Sequence, residues 1–385
     1  MGTILFFQES EWYLINLIKK LWYYGLNFLR KYMWAEDLMD KFMRIYRYQK
    51  FDYSFSTTES LLYAMGGDDF TSMLNMTIDE VMQKSGFTKK FIDDMVVPAM
   101  RFNYGQGVDV NGFVGAISYA WTDSGLWAVA GGNKLVCSGL LHAAKAQLIQ
   151  GTVTSVQEKV HSTKPGNTVK LYEISYVTDK GPGLDLYDIV VIATPLNKNL
   201  GNIEFVGFDP PIEALYGPYQ QMVVTFVHGR INTSYFGCSK PCHFPLSDVL
   251  TTYNPKLFIH SISAVSPANP VPESDTSKAS GLRVWKIFSP EVLTDEQLHQ
   301  LFESYDAVKV RNWLAYPRYS PPEKIPPIEL HRSIYYVDGI EWAASAIEMC
   351  VIAAKNVALL SHHQWYGKND HIDQQDLAER LKSEL

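Results

Sequence analysis

The chain has 385 residues, 46% hydrophobic, 13% aromatic and 19% charged, with 41 acidic against 34 basic side chains. An ordinary soluble chain carries about 25% charged residues, so this one has ample core-forming material and is not disordered; its net charge of −7 argues against a nucleic-acid binder, which needs a basic face. No uncharged apolar run reaches the roughly 18 residues of a membrane span, and 25 Gly and 19 Pro without a repeat period exclude collagen-like and solenoid folds.

The opening Met1 to Gln8 lacks the basic region and small-residue cleavage site of a signal peptide. Glu11 to about Gln49 reads as one or two helices, because Ile15, Ile18, Trp22, Leu26, Leu29 and Met33 step by three and four along one face. With Lys19, Lys20, Arg30 and Lys31 off that stripe, the segment fits a basic amphipathic helix on a membrane surface. A helix packed on the protein's own core is the favoured reading. Shorter helices follow over Glu59–Met65, Ile78–Ser85 and Lys89–Phe102, with Gly-Gly and Asp-Asp pairs between them.

After Trp127 the texture changes. Gly131 to Lys134 is a loop, and Leu135–Leu148 is helical, with small residues that permit close packing. Gly151–Val156 and Val169–Val177 alternate like paired strands around a polar loop at His161–Asn167. Tyr187–Pro195 is an apolar run ended by Pro, the pattern of a strand buried on both faces. Further strands are expected over Met222–His228, Val249–Thr252, Leu257–Ser261 and Val284–Phe288, with a helix over Thr294–Phe302. Ser266–Ser280 reads as a surface loop, and Tyr316–Pro327, with five prolines, as an extended connector. A short strand, Ile334–Val337, runs through Asp338 to Glu341 into a helix of small residues, Ala343–Ser361.

Four cysteines (Cys137, Cys238, Cys242, Cys350) are too few for a disulfide scaffold. The Cys238/Cys242/His243 spacing is not that of a zinc knuckle, so a free buried pair or a local disulfide fits better than a metal site. His362-His363 is better explained by placement at a helix end than by metal binding. Asn75-Met-Thr77 and Asn232-Thr-Ser234 are glycosylation sequons, meaningful in a secretory compartment. The terminal Lys382 to Leu385 has Ser where a retention tetrapeptide has Asp, and a frayed helix end fits it better. The chain contains no G-x-S-x-G, no H-E-x-x-H, no phosphate-binding G-x-x-x-x-G-K-S/T and no G-x-G-x-x-G.

Two positive signals remain. A strand stopping at Ala193-Thr194-Pro195 leaves a crevice at its carboxyl end, where α/β sheets bind ligands. The passage from strand to helix through Gly339, with Ala343, Ala344 and Ser345 on the first turn, would expose backbone N–H groups at a positive helix terminus. A plain buried strand and close helix–strand packing are the structural alternatives to each.

Their order, taken with longer blocks, carries a resemblance. Trp34–Tyr48, Asn103–Gln106, Ser124–Gly139, Asp188–Leu196 and Gly339–Ser345 resemble the prenylcysteine oxidase family, within the amine-oxidase-like FAD flavoproteins, and the resemblance spans the chain. It implies a mixed α+β and α/β fold: a helical part of a substrate domain (1–125), part of an FAD domain (126–210), a β-rich substrate domain (211–330), a C-terminal FAD segment (331–365) and a tail (366–385). It also implies a secretory signal and a βαβ unit with G-x-G-x-x-G ahead of the first matching block, and neither occurs in these 385 residues, so the FAD domain is expected to be incomplete. By resemblance, Gly131 and Gly132 lie near the flavin and Val153 near the adenine. Ala193, Thr194 and Pro195 flank the cofactor, while Gly339, Glu341, Ala343, Ala344 and Ser345 lie near the ring and phosphates. The implied reaction cleaves prenylated cysteine to free cysteine, a prenyl aldehyde and hydrogen peroxide, with FAD as cofactor and oxygen as acceptor, in a lysosomal or secretory setting. No residue stands out as acid, base or nucleophile. The alternatives are a catalytically silent lipid- or partner-binding form and a related amine oxidase.

Overall fold

Two helices sit at the front because Gly25, at φ 60°, breaks one apolar stripe into α1 (Tyr13–Tyr24) and α2 (Asn27–Phe42), followed by α3 (Arg44–Lys50). The computed structural model describes residues 13–120, 128–164, 167–197, 199–212, 217–237, 247–254, 256–265 and 282–375. Cys238, Cys242, Ser266–Ser280, part of the Ser124–Gly139 block and the tail beyond residue 375 lie outside them.

The favoured packing of the first stripe is overturned. Ile15, Ile18, Leu26, Leu29 and Met33 are exposed, and Trp22 is 90% exposed. The inward face of α2 carries Asn27, Lys31, Leu38 and Phe42 instead. Hydrogen bonding decides this face: Asn27 Nδ2 donates to Tyr24 O (2.8 Å) and Thr88 Oγ1 (3.1 Å), and its Oδ1 accepts from Thr88 N (3.0 Å). Lys31 lies over the Tyr119 ring.

The helical lobe continues through α4 (Thr58–Gly66), α5 (Asp68–Met73), α6 (Ile78–Lys84), α7 (Lys89–Phe91), a π-helical turn at Ile92–Val96, α8 (Val97–Tyr104) and α9 (Gly112–Ala120). Thr57, Thr77 and Thr88 cap α4, α6 and α7, Thr77 in a full capping box with Glu80. Its core also takes in Tyr319, Ile340, Ala343, Ala344, Met349 and Ile352 from the far end of the chain.

Three sheets follow. Strands β1 (Gly151–Lys164), β2 (Asn167–Thr178), β3 (Gly181–Tyr187) and β5 (Glu204–Val206) form one, in the order β3-β2-β1-β5. The second has the order β10-β6-β9-β8-β7, built from β6 (Tyr219–Ile231), β7 (Asp248–Leu250), β8 (Ser261–Ala264), β9 (Arg283–Ser289) and β10 (Phe302–Pro317). The third is β11 (Glu329–His331), β12 (Ile334–Tyr336) and β4 (Val190–Ile192), with β12 and β4 parallel. Helix α10 (Lys134–Ala144) precedes β1, α11 (Asp295–Leu301) precedes β10, and α12 (Ile347–Tyr366) is followed by a 3-10 turn at Asn369–His371.

Four expectations need correction. Only Val190–Ile192 of the Tyr187–Pro195 run pairs as β4, and Val191 is 47% exposed. The strand buried on both faces is β12, whose Ile334 and Tyr336 pack towards Val156 and Tyr172 while Tyr335 packs on Val357 and Leu360 of α12. Helix α10 does not pack closely: all its residues are exposed. The strand expected at Leu257–Ser261 forms instead over Ser261–Ala264, set by its pairing with β9. The sixteen-residue β10 escaped notice because charges occupy its outward positions and three register shifts break its alternation. His363 is also no charged cap of a helix dipole. It is buried, its Nδ1 lies 3.0 Å from Ser54 Oγ, and burial and the neighbouring His371 and His362 lower its pKa.

Candidate functional site

The parallel pairing Ile334↔Val190, Tyr335↔Val191, Tyr336↔Ile192 makes two chain segments leave the sheet side by side. One is Ala193-Thr194-Pro195; the other is the 3-10 turn Val337–Trp342 that contains Gly339 and Glu341. Gly339 sits in close approach to the connector, since a Cβ there would stand 3.1 Å from Pro326 O. Beside β4 opens an apolar trough of about 380 Å³. Val153 of β1 lines it together with Ile192, Ala193 and Thr194, so three residues chosen from sequence meet at one wall. Gly131 (φ 85°) and Gly132 (φ 105°) shape the turn into the exposed α10 and are not part of that wall.

The turn after Trp342 differs from expectation. The helix begins at Ile347, not Ala343. Ala343 N and Ala344 N donate to Ile340 O (2.9 and 3.0 Å), and Ser345 N donates to Tyr319 Oη (2.8 Å). The amides of Ala343 to Ser345 are therefore already used. No side chain caps α12, which leaves the N–H groups of its first turn for solvent or a ligand. Ala343 and Ala344 are fully buried against the helical lobe, which is why no larger side chain fits.

Tyr319 organises this turn and was not read from sequence. Its hydroxyl accepts from Ser345 N and donates to Glu341 O (2.9 Å). Its own backbone is held by Gln106, whose Nε2 donates to Tyr319 O (2.9 Å) and whose Oε1 accepts from Tyr319 N (3.0 Å). Tyr104 Oη donates to Ser345 O (3.1 Å), and Asn111 Nδ2 donates to Ala343 O (3.3 Å). The usable signal lay in the Asn103–Gln106 block, two of whose four residues hold the site.

Burial, with Asp338 nearby, pushes the Glu341 carboxyl up to about 7 despite hydrogen bonds from Cys350 and Ser345. Burial raises Asp338 to about 6 and, with the Glu341 and Asp338 charges, the Cys350 thiol to about 12. Glu341 Oε1 accepts from Ser345 Oγ (3.4 Å) and Cys350 Sγ (3.7 Å). Asn75 is exposed, whereas Asn232 is half-buried and its Nδ2 donates to Gln300 O (3.0 Å). Among the described residues there is no group of three metal-ligating side chains and no helix long and apolar enough to cross a membrane.

The parallel pairing of β12 with β4 sets the Val337–Trp342 turn beside the strand end at Ala193-Thr194, and of the two only the strand end lines the trough; the mixed α/β architecture is consistent with the amine-oxidase-like group. The chain belongs to the prenylcysteine lyase family, whose profile matches residues 7–374. It is 52% identical over 388 residues to "Prenylcysteine oxidase 1" of Bos taurus, covering 100% of this chain and 75% of that protein. With the Homo sapiens protein of the same name it shares 53% over 384 residues, 100% of this chain and 76% of that one. "Prenylcysteine oxidase 1-like" of Mus musculus is 45% identical over 387 residues, 100% of this chain and 77% of that protein.

Proposed function

We propose that the protein is an FAD-dependent thioether oxidase that converts S-prenylcysteine, water and oxygen to free cysteine, a prenyl aldehyde and hydrogen peroxide, the aldehyde oxygen coming from the water and the peroxide from the oxygen. The observation that carries this reading is the match of the whole chain, at half identity, to proteins named prenylcysteine oxidase 1. The site's chemistry fits a flavin. Trp342 Nε1 is a buried donor without an acceptor, and the first turn of α12 is uncapped. The trough is apolar and open, and a dinucleotide flavin brings the matching acceptors and an apolar ring system. In this reading Ala193, Thr194, Pro195 and Val153 flank the cofactor, and Gly339, Glu341 and the turn at Ala343, Ala344 and Ser345 support it, with Gly131 and Gly132 nearby.

When bound, FAD supplies hydride acceptance and reoxidation by oxygen. The chain's own residues position the reactants. Tyr319, Gln106 and Tyr104 fix the turn, and Val153 and Ile192 give the open trough an apolar wall. Glu341, with its pKa near 7, holds or releases a proton close to neutral pH.

The structure also supports a flavin domain that takes another element. The outer edge of β4 is unpaired among the described residues, Ile347 is 73% exposed and Val351 is exposed, and α10 presents Leu135, Val136, Leu140 and Leu141 to solvent. These are the faces on which a phosphate-binding βαβ unit would pack. They equally support a second reading, in which these 385 residues alone are catalytically silent and bind a lipid or partner. Peripheral membrane contact through the exposed Trp22 stripe and a lysosomal or secretory location complete the proposal. The deciding experiment measures bound flavin by absorbance, and peroxide release from S-farnesyl-L-cysteine, on this chain. Flavin with peroxide supports the oxidase; neither supports the silent form; peroxide from amines alone supports an amine oxidase.

A further inference from the structure

Arg101 lies on α8 one turn before Tyr104, whose hydroxyl reaches Ser345 of the site. It is only 8% exposed. Its Nε donates to Thr251 Oγ1 (3.2 Å) and its Nη2 to Ile259 O (3.3 Å). A guanidinium carries five N–H donors, so three are left over. Buried charges are normally paired with an opposite charge, yet no Asp or Glu among the described residues pairs with Arg101. The charged or titratable groups that bear on it are Tyr253 and His260.

The surroundings repeat this shortage of acceptors. His260 Nδ1, Ser261 Oγ and Ser263 Oγ are buried and have no hydrogen-bond partner among the described residues. His260 and Ser261 follow directly after the Ile259 carbonyl that Arg101 contacts, and Ser263 lies two residues further along β8. Register fixes where the two serines face: Ser261 pairs with Phe288 and Ser263 with Lys286, and directly paired residues share a sheet face. That face meets α8, because Phe102 packs edge-on to Phe288 and Lys286 Nζ lies over both rings, 5.7 and 5.1 Å from their centroids. Lys286 forms no ion pair with a described carboxylate. Arg101 and Lys286 therefore lie on the side of the sheet that carries Ser261, Ser263 and the Phe102–Phe288 pair, and no carboxylate among the described residues pairs with either cation.

We propose that Arg101, assisted by Ser261 and His260, binds the α-carboxylate of the cysteine portion of the substrate. This rests on the thioether-oxidase reading above. An S-prenylcysteine carries one carboxylate, one ammonium and a long apolar chain. The carboxylate accepts a paired set of N–H bonds from a guanidinium, the ammonium is repelled by it, and the prenyl chain suits Phe102 and Phe288. Burial and the Arg101 charge lower the pKa of His260 to about 4, so its imidazole is neutral at pH 7 and adds a donor without adding charge.

The test is anaerobic equilibrium binding of S-farnesyl-L-cysteine and of its methyl ester to the full-length protein. Wild type should bind the acid about tenfold or more tightly than the ester, the scale of one charge-assisted bidentate contact. Arg101→Gln should weaken the acid by that factor and leave the ester within about twofold, while Arg101→Lys should fall between. Equal binding of acid and ester by wild type overturns the site and needs no variant, so a poorly folding Arg101→Gln does not blunt the test. Equal weakening of both ligands in Arg101→Gln also overturns it, by showing a purely structural role. If wild type binds neither ligand, the thioether reading fails and the carboxylate site with it; binding without preference defeats the site alone.

Discussion

Tyr319 shows how one side chain can set a site from outside it. Its hydroxyl closes two backbone groups of the turn, Ser345 N and Glu341 O. Tyr319→Phe leaves both without that partner in a buried setting, which should cost about 1–3 kcal/mol, measurable as a lowered denaturation midpoint with an unchanged slope. Glu341 gives a pH signature. Its folded pKa, about 7, lies above the ordinary 4.5, so the folded state holds the proton more strongly and its stability falls as pH rises from about 4.5 through 7. Glu341→Gln removes that loss. The melting temperature of the variant relative to wild type should therefore climb between pH 4.5 and 7.5, and a constant difference would refute the assignment. Asn75 should carry a glycan in a secretory host more fully than Asn232, whose amide is tied to Gln300 O; peptide mapping by mass spectrometry reads this directly. Gly339 was legible in the sequence because a strand-to-helix junction favours small residues, whereas Glu341 was reached only through the family resemblance. Tyr319 was not, because its partner lies 26 residues on, across a proline-rich connector with no periodicity of its own.

At the scale of elements, period was legible and facing was not. The α1–α2 stripe has helical spacing, but Asn27, bonded to Tyr24 and Thr88, turns the other face inward. The outward face, with Trp22 at its centre and Lys19 beside it, is the surface expected to meet lipid. Trp22→Ser with Leu26→Ser should reduce co-sedimentation with phosphatidylcholine vesicles several-fold, on the scale of two lost apolar anchors. Unchanged sedimentation would remove the membrane contact. The β4 run shows a related limit. Its apolar composition fits burial on both faces, yet it pairs over three residues only, because a strand's burial depends on neighbours that its own sequence does not name. β12 has those neighbours, the Val156–Tyr172 surface on one side and α12 on the other.

For the whole molecule, the apolar composition divides between a well-filled helical lobe and faces left open on the flavin side. Exposed apolar area of that kind favours association. The isolated chain should therefore bind a hydrophobic dye and aggregate on heating, and a sharp reversible melt without dye binding would contradict this. The helical lobe, the five-stranded sheet and the β4/β12 junction together support one activity, the oxidation of a thioether in a prenylated cysteine. The most direct test incubates the protein with S-farnesyl-L-cysteine in air and resolves the products by mass spectrometry alongside a peroxide assay. Cysteine, farnesal and hydrogen peroxide in equal amounts are the predicted result. Recovery of intact S-farnesyl-L-cysteine from flavin-loaded protein would contradict it.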